Sequence, residues 1–239
     1  MCSSDLAPEQ DMAFVIDELA ATGASVGELP NYADYGIGPE LTAAILGEAG
    51  KFAGEVLAPL RPVGDREPAR CEDRRIILSP GYAEAWQQLS EGGWQGISIP
   101  AEHGGQGLPE IYGSAAMEMW SASNMAFGLG PLLSAGAALA IAAHGTDEQK
   151  AIYLEKMNAG TWSGTMNLTE PHAGSDLSTL KTRAEPVGDH YLIRGQKIYI
   201  TWGEHDMTEN ILHIVLAPMI DAPPGNKGLS LFLVPKFLV

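Results

Sequence analysis

Cysteine is almost absent from this chain, which has two in 239 residues, Cys2 and Cys71. Two cysteines cannot build the disulfide framework of small secreted proteins, and they cannot supply the thiolates of a structural zinc site. The start of the chain also lacks the basic residues and the long apolar run of a secretory signal peptide. These absences predict a reduced, cytoplasmic environment.

Basic residues are also scarce, since 14 Lys and Arg face 30 Asp and Glu and give a formal net charge of −16 at pH 7. Such a surface favours solubility and repels the phosphate backbone, so we expect no nucleic acid partner. An anionic coenzyme remains possible, because local hydrogen-bond donors can outweigh a screened net charge. The spacing of His, Asp and Glu matches no metal-ligand pattern, and we predict no metal site.

A long, strongly apolar run is missing too. Residues 125–143 carry no charge, but they contain Gly128, Gly130, Pro131 and Gly136 and are rich in alanine. A helix that spans a membrane needs about 20 strongly apolar residues. We therefore expect a loop followed by a small-residue helix buried among other helices, and no membrane partner.

The first two thirds of the chain has helical patterning. Pro39 suits the first turn of a helix, and apolar residues follow it at helical spacing: Leu41, Ile45, Ala49, Phe52, Val56 and Leu60. Further helix starts are predicted from cap residues and prolines at Ser79, Pro109, Pro131 and Thr146, the last with a capping box to Gln149.

After Gly160 the hydrophobic period changes to that of strands. The predicted strands are residues 162–168, 180–185, 191–201, 211–217 and 229–234, with a hairpin turn at Gly188-Asp189. A helical block followed by a strand block indicates an α+β protein, an all-α domain and then an antiparallel β-sandwich or barrel. We divide the chain into an N-terminal extension (1–38), a helical domain (39–160) and a middle β-domain (161–239).

One stretch carries most of the chemistry. Residues 165–182 read TMNLTEPHAGSDLSTLKT, a hydroxyl-rich apolar run that ends in a turn. Pro171 presets φ and Gly174 tolerates positive φ, so the turn leaves backbone N–H groups free. With the hydroxyls of Thr169 and Ser175, these groups predict a donor-rich concavity for the edge of a flat cofactor or for an anion. An isolated turn of this composition is also typical of a plain surface loop.

The run resembles the flavin-contacting signature of the acyl-CoA dehydrogenase family, and KIYITWG (197–203) resembles the family's second flavin segment. Across residues 39–239 the resemblance is closest to the branch of 3-methylmercaptopropionyl-CoA dehydrogenases, which implies a role in dimethylsulfoniopropionate degradation. It rests on ordered motifs: YGIGPEL (35–41), GGW (92–94), HGGQGLP (103–109), NMAFG (124–128), GEHDMTEN (203–210) and LFLVPKFLV (231–239). The first six residues look instead like translated sequencing-adapter DNA, and we assign them no function.

The resemblance implies a bound FAD. Two groups of residues would contact it: Met166, Asn167, Leu168 and Thr169, and then Tyr199, Ile200 and Thr201. Thr169 and the backbone beside it would serve the N1–C2 edge, Tyr199 would pack beside the ring, and Thr201 would bond N5. Ser175 resembles a residue that contacts the acyl-CoA. Better-known members carry Trp at the position of Tyr199, and Tyr keeps the flat surface but changes its area and its polar tip.

The resemblance also implies the reaction, α,β-dehydrogenation of an acyl-CoA thioester. A carboxylate base removes the α-proton while the β-hydride passes to flavin N5. In the family this base is a Glu of a C-terminal helical domain, and no residue up to Val239 matches it. We therefore assign no catalytic residue, and we expect weak flavin binding and no turnover from this chain alone. The full-length form is expected to be a homodimer or homotetramer that reduces an electron-transfer flavoprotein.

Other interpretations stay open at this point. An acyl-CoA oxidase would pass the electrons to oxygen, a non-catalytic flavin-binding relative would bind nucleic acid through a basic surface, and a helical interaction module would bind no flavin. Glu170, His172 and Asp176 are interpreted as turn residues. The pair His205-Asp206 lies either at the substrate mouth or in a solvated loop.

Overall fold

Helices come first and strands second in the described part of the chain, residues 7–73 and 75–239 of a computed structural model. The helices are α1 (Glu9–Phe14), α2 (Thr22–Ser25), α3 (Pro39–Lys51), α4 (Ala58–Arg66), α5 (Tyr82–Glu91), α6 (Glu110–His144) and α7 (Asp147–Asn158). The strands are β1 (Arg70–Glu72), β2 (Arg75–Ile77), β3 (Trp162–Asn167), β4 (Arg183–Val187), β5 (His190–Arg194), β6 (Asn210–Pro218) and β7 (Leu229–Pro235). The predicted α+β class is confirmed, whereas the adapter-like start lies outside the described residues.

In this described part the strands form three small sheets. β1 pairs with β2 and β4 with β5, both antiparallel, and the second hairpin turns at Gly188-Asp189 as predicted. The third sheet has the order β3-β6-β7. β6 and β7 are antiparallel, but β3 and β6 run parallel, with Trp162 opposite Asn210. The antiparallel expectation is wrong for this pair, because the long segment between the two strands returns the chain to the same end of the sheet.

The predicted strand 191–201 is wrong in its second half, since β5 ends at Arg194. Tyr199 and Trp202 have φ values of 57° and 53°. These values lie in the left-handed region, which is incompatible with a strand. The second flavin-like segment is therefore an irregular loop whose residues do not alternate between two faces.

α6 bends at Asn124, where φ is −154° and ψ is 86°. The Asn124 Oδ1 accepts the Phe127 N–H at 3.2 Å, so this side chain caps a second helical half. The loop expected before Pro131 is therefore absent, because the helix restarts directly after the cap. By length and composition α6 could cross a membrane, but it packs against α3, α7 and β3 as a core helix, in line with the sequence prediction.

The helical and strand-rich parts meet where β3 lies on the second half of α6. The Gly164 N–H donates to Ser134 Oγ at 3.0 Å. A Cβ at Gly164 would lie 2.6 Å from Ala137 Cβ and 2.7 Å from Met157 Cε, so the strand approaches the helices as closely as only glycine permits. Around this contact lies an apolar cluster that joins both parts: Ile99, Ala137, Ala138, Ile141, Leu154, Met157, Trp162, Leu212 and Ile214.

We predict that Gly164→Ala lowers the free energy of unfolding by about 1–3 kcal/mol, because the added methyl overpacks this contact. The matched control is Gly136→Ala on the exposed side of α6, where a Cβ would meet nothing within 4 Å. The control should stabilise the protein by about 0.5–1 kcal/mol, since alanine is the better helix former. Urea unfolding of the three proteins measures both effects, and equal stabilities for both variants would contradict the close-contact argument.

Candidate functional site

The two segments singled out in the sequence lie side by side at the end of β3. The Ile198 N–H donates to the Thr169 carbonyl at 3.0 Å. The Lys197 Nζ donates to the Leu168 carbonyl at 2.9 Å. Two consecutive residues of the second segment therefore hold two consecutive residues of the first, which places residues 166–169 next to residues 199–201.

This junction leaves hydrogen-bond donors uncommitted. Within residues 7–73 and 75–239, the N–H and hydroxyl of Thr169 and the hydroxyl of Thr201 have no hydrogen-bond partner. The Leu168 carbonyl points to Lys197, and the peptide bonds are trans. Carbonyl and N–H point in opposite directions across a trans peptide, so the Thr169 N–H faces away from Lys197. Thr169 is half-buried and Thr201 is exposed, so both can reach a ligand.

Tyr199 presents an aromatic ring to the outside. Its side chain is 87% exposed, and its φ of 57° is unusual for an aromatic residue. Trp202 anchors the same loop, since its indole stacks on Tyr82 with ring centroids 6.2 Å apart and its Nε1 donates to the Ala126 carbonyl at 3.0 Å. Residues with a strained backbone conformation are found often at ligand sites. Tyr199 is such a residue, and the packing of Trp202 holds its loop in place.

The remaining residues assigned to the flavin are more committed to the protein. Asn167 Oδ1 accepts the Thr165 hydroxyl at 2.7 Å, and Thr165 Oγ1 lies 2.8 Å from His213 Nδ1. Burial lowers the pKa of His213, so this group stays neutral at neutral pH. Met166 and Ile200 are half-buried.

Glu170 lies in a turn as predicted, where its N–H and carbonyl bond Ala173 at 2.8 and 3.0 Å. Its carboxylate is also buried, and it accepts hydrogen bonds from Lys197 Nζ at 3.0 Å, the Lys181 N–H at 2.8 Å and the Thr182 N–H at 3.0 Å. Burial would raise the pKa of Glu170, but hydrogen bonds from Thr182, Lys181 and Lys197 outweigh it and hold the pKa at about 2. Glu170 is therefore ionised and fully engaged.

The other polar residues of the turn behave as turn residues. Asp176 Oδ1 accepts the Ser178 N–H at 2.9 Å, and hydrogen bonding from Ser178 lowers the pKa of Asp176. His172 Nε2 lies 3.0 Å from the Thr179 carbonyl. Ser175 is exposed. Where the chain is described, no group of three or more His, Cys, Asp or Glu side chains could hold a metal ion.

His205 does not lie at a substrate mouth or in a solvated loop, because it is 2% exposed. Its Nδ1 accepts the Met207 N–H at 3.3 Å, so the neutral ring carries its proton on Nε2 and donates to Ser163 Oγ at 2.9 Å. Desolvation by burial lowers the pKa of His205 to about 4. This neutral histidine ties the loop after the second segment to β3, and it has no access to a substrate.

Sequence patterns alone do not single out Lys197, although it holds the site together. The positions of the charged residues in the two segments could have indicated this ion pair. In the first segment Glu170 directly follows Thr169, and in the second segment Lys197 stands two positions before Tyr199. Opposite charges in two segments expected to be neighbours favour an ion pair between them.

The chain matches the family description "Acyl-CoA dehydrogenase, N-terminal domain" at residues 39–161 and "Acyl-CoA dehydrogenase, middle domain" at residues 165–238. It is 50% identical over 233 residues to 3-methylmercaptopropionyl-CoA dehydrogenase of Ruegeria pomeroyi, covering 97% of this chain and 39% of that protein. The chain thus spans about two fifths of the length of this curated relative.

Solved structures with the same architecture include butyryl-CoA dehydrogenase from Megasphaera elsdenii, with a TM-score of 0.68 and 26% identity over 81% of this chain and 48% of that one. Another is an acyl-CoA dehydrogenase complexed with FAD from Bacillus anthracis, with a TM-score of 0.64 and 27% identity over 81% of this chain and 30% of that one. These similarities agree with the resemblance read from the sequence motifs.

The buried His205 predicts a specific pH dependence of stability. Its folded pKa of about 4 lies below the ordinary value of 6.5, so only the unfolded chain takes up this proton between those two pH values. As pH falls from 6.5 to 4, the wild type should lose about 3 kcal/mol of unfolding free energy relative to His205→Gln. Above pH 6.5 the difference should stay constant.

Urea unfolding across this pH range measures the difference. The matched control is His190→Gln, since His190 is exposed in the β4–β5 hairpin. A pH-independent difference between wild type and His205→Gln would contradict the buried, neutral state of this ring.

Proposed function

Because this chain belongs to the acyl-CoA dehydrogenase family, we propose that it carries the flavin-binding surface and part of the acyl-CoA site of an FAD-dependent α,β-dehydrogenase. The observation that carries the proposal is the junction in which the Ile198 N–H bonds the Thr169 carbonyl at 3.0 Å and leaves two threonine hydroxyls uncommitted. The proposed substrate is 3-methylmercaptopropionyl-CoA, on which the Ruegeria relative is named to act. This substrate would place the protein in dimethylsulfoniopropionate degradation. We also propose that the boundary between the helical domain and the β-domain lies at Gly160.

The donor set fits a flavin. Negative charge builds along the N1–C2 edge of the ring when it is reduced, and the free N–H and hydroxyl of Thr169 are donors suited to that edge. The Thr201 hydroxyl is free to bond N5, and the exposed Tyr199 ring offers a flat surface beside it. The backbone of Met166, Asn167, Leu168 and Ile200 would complete the contact. The bound FAD would supply the hydride acceptor.

The residues of this chain would bind and orient. Fixed donors at Thr169 and Thr201 would hold one orientation of the ring, and Ser175 would contact the pantetheine or phosphate part of the acyl-CoA. Glu170 does not serve as the base, because its carboxylate is buried and every bond it makes is to the protein. By resemblance, the proton at the α-carbon would go to a Glu of a C-terminal helical domain.

We further propose that the complete enzyme is a cytoplasmic homodimer or homotetramer that passes electrons to an electron-transfer flavoprotein. An acyl-CoA oxidase would instead use oxygen. Oxygen consumption during turnover of the complete enzyme separates the two. The net charge of −16 argues against the nucleic-acid-binding relative.

Removing either hydroxyl should weaken flavin binding. We expect Thr169→Val and Thr201→Val each to raise the Kd for FAD by about 5- to 13-fold, because each loses one hydrogen bond worth about 1–1.5 kcal/mol. Thr161→Val is the control, since its hydroxyl bonds the Lys156 carbonyl away from the junction. Titration of FAD followed by flavin fluorescence measures Kd. Equal affinities for all four proteins would refute this placement of the flavin.

The chain alone should not turn over. Mixed with FAD and 3-methylmercaptopropionyl-CoA under anaerobic conditions, it should leave the absorbance of oxidised flavin unchanged, because no residue here takes the place of the base. Bleaching of the flavin band above the rate seen without protein would show that a base is present within residues 1–239.

A further inference from the structure

A buried ion pair lies directly behind the candidate flavin surface. The side chains of Glu170 and Lys197 are 2% and 9% exposed, and Lys197 Nζ lies 3.0 Å from Glu170 Oε1. Both residues sit within two positions of residues assigned to the flavin. Neither is assigned to FAD or to the acyl-CoA, because both side chains point into the protein.

Lys197 controls the direction of one peptide group. Its Nζ also donates to the Leu168 carbonyl at 2.9 Å. The peptide between Leu168 and Thr169 is planar and trans, so fixing its carbonyl fixes the opposite direction of the Thr169 N–H. The next carbonyl, that of Thr169, is held by the Ile198 N–H at 3.0 Å. Lys197 and Ile198 thus set the two peptide planes that flank the Thr169 side chain.

Glu170 in turn holds Lys197 in place. The carboxylate is already fixed by the backbone N–H groups of Lys181 and Thr182 at 2.8 and 3.0 Å, so it offers Lys197 a rigid acceptor. Gly195 lets the second segment pass against Thr182, where any Cβ would collide with the Thr182 side chain. A charge-assisted bond to a preorganised acceptor is directional, which is what orientation of a peptide requires.

We propose that Glu170 and Lys197 form a positioning pair, which sets the direction of the Thr169 N–H and the spacing between residues 166–169 and 199–201. This proposal rests on the proposed function, since the positioned groups are the ones assigned to the flavin. The pair touches neither flavin nor substrate, and its effect passes through Leu168 and Ile198. Donors aimed at the N1–C2 edge favour the reduced ring, so the pair raises both the affinity for FAD and its reduction potential.

The test compares Lys197→Met, which keeps much of the length and loses both bonds, with Lys197→Arg, which keeps the charge and donors. Lys51→Met is the control, because it removes an exposed ion pair with Glu48 in α3. FAD titration gives Kd, and spectroelectrochemistry gives the midpoint potential of the bound flavin. We expect Lys197→Met to raise Kd about tenfold or more and to shift the potential to more negative values. Lys197→Arg should recover most of both losses, and Lys51→Met should match the unaltered chain.

A second variant covers the case in which Lys197→Met leaves Glu170 as an unpaired buried charge and prevents folding. Glu170→Gln combined with Lys197→Met removes both charges, and the amide oxygen can keep one of the two backbone N–H bonds, which go to different oxygens of the carboxylate. Amide exchange of Ile198, whose N–H bonds the Thr169 carbonyl, should be faster without FAD in this folded double variant than in the unaltered chain, and Kd should again rise about tenfold.

The outcomes separate the two proposals. If the unaltered chain binds FAD and the folded double variant binds it with the same Kd and potential, the positioning role is overturned and the proposed function stands. If the unaltered chain shows no saturable FAD binding, the proposed function falls and the positioning role falls with it.

Discussion

A buried carboxylate that must stay charged organises this part of the molecule. Glu170 is almost fully withdrawn from water, and an ionised group in that position is tolerated only when hydrogen bonds replace its hydration. Its carboxylate accepts hydrogen bonds from the backbone N–H groups of Lys181 and Thr182 and from the Lys197 side chain, and these bonds replace its hydration. Three separate stretches of the chain are thereby held together at this carboxylate. The Thr169 N–H, which has no partner among the described residues, faces away from these bonds.

The helical part contributes the support for the second segment. Trp202 reaches from the loop to the helices, where it bonds the Ala126 carbonyl in the second half of α6 and stacks on Tyr82 of α5. That carbonyl sits near the bend because Asn124 caps the helix restart. Further along the same helical half, Gly164 brings β3 into direct contact. One bent helix therefore carries both β3, which leads into the first segment, and the loop that contains the second.

The sequence was informative where local chemistry decides structure. The capping box at Thr146 and the proline start of α3 are present as predicted, because each depends on residues a few positions apart. The strand predicted for residues 191–201 fails because alternation of apolar residues cannot reveal left-handed φ at Tyr199 and Trp202. Long-range partners decide that conformation.

The candidate site shows the same division. Its residues could be predicted from the sequence, since two short motifs resemble the flavin-contacting segments of a known family. The buried state of His205 and the partnership of Glu170 with Lys197 could not be named, because both are set by which distant backbone groups come near after folding. Polar residues in a turn motif are ambiguous for this reason, and only the packed structure tells an exposed turn residue from a buried acceptor.

At Tyr199 the chain combines a strained backbone conformation with an exposed aromatic ring. Glycine or asparagine would adopt its φ of 57° with less strain, whereas a tyrosine there costs about 1–3 kcal/mol. Neither of those residues offers a broad planar face. The chain therefore keeps a strained backbone conformation at one exposed position, and selection for thermal stability alone would favour replacing this aromatic ring by glycine or asparagine.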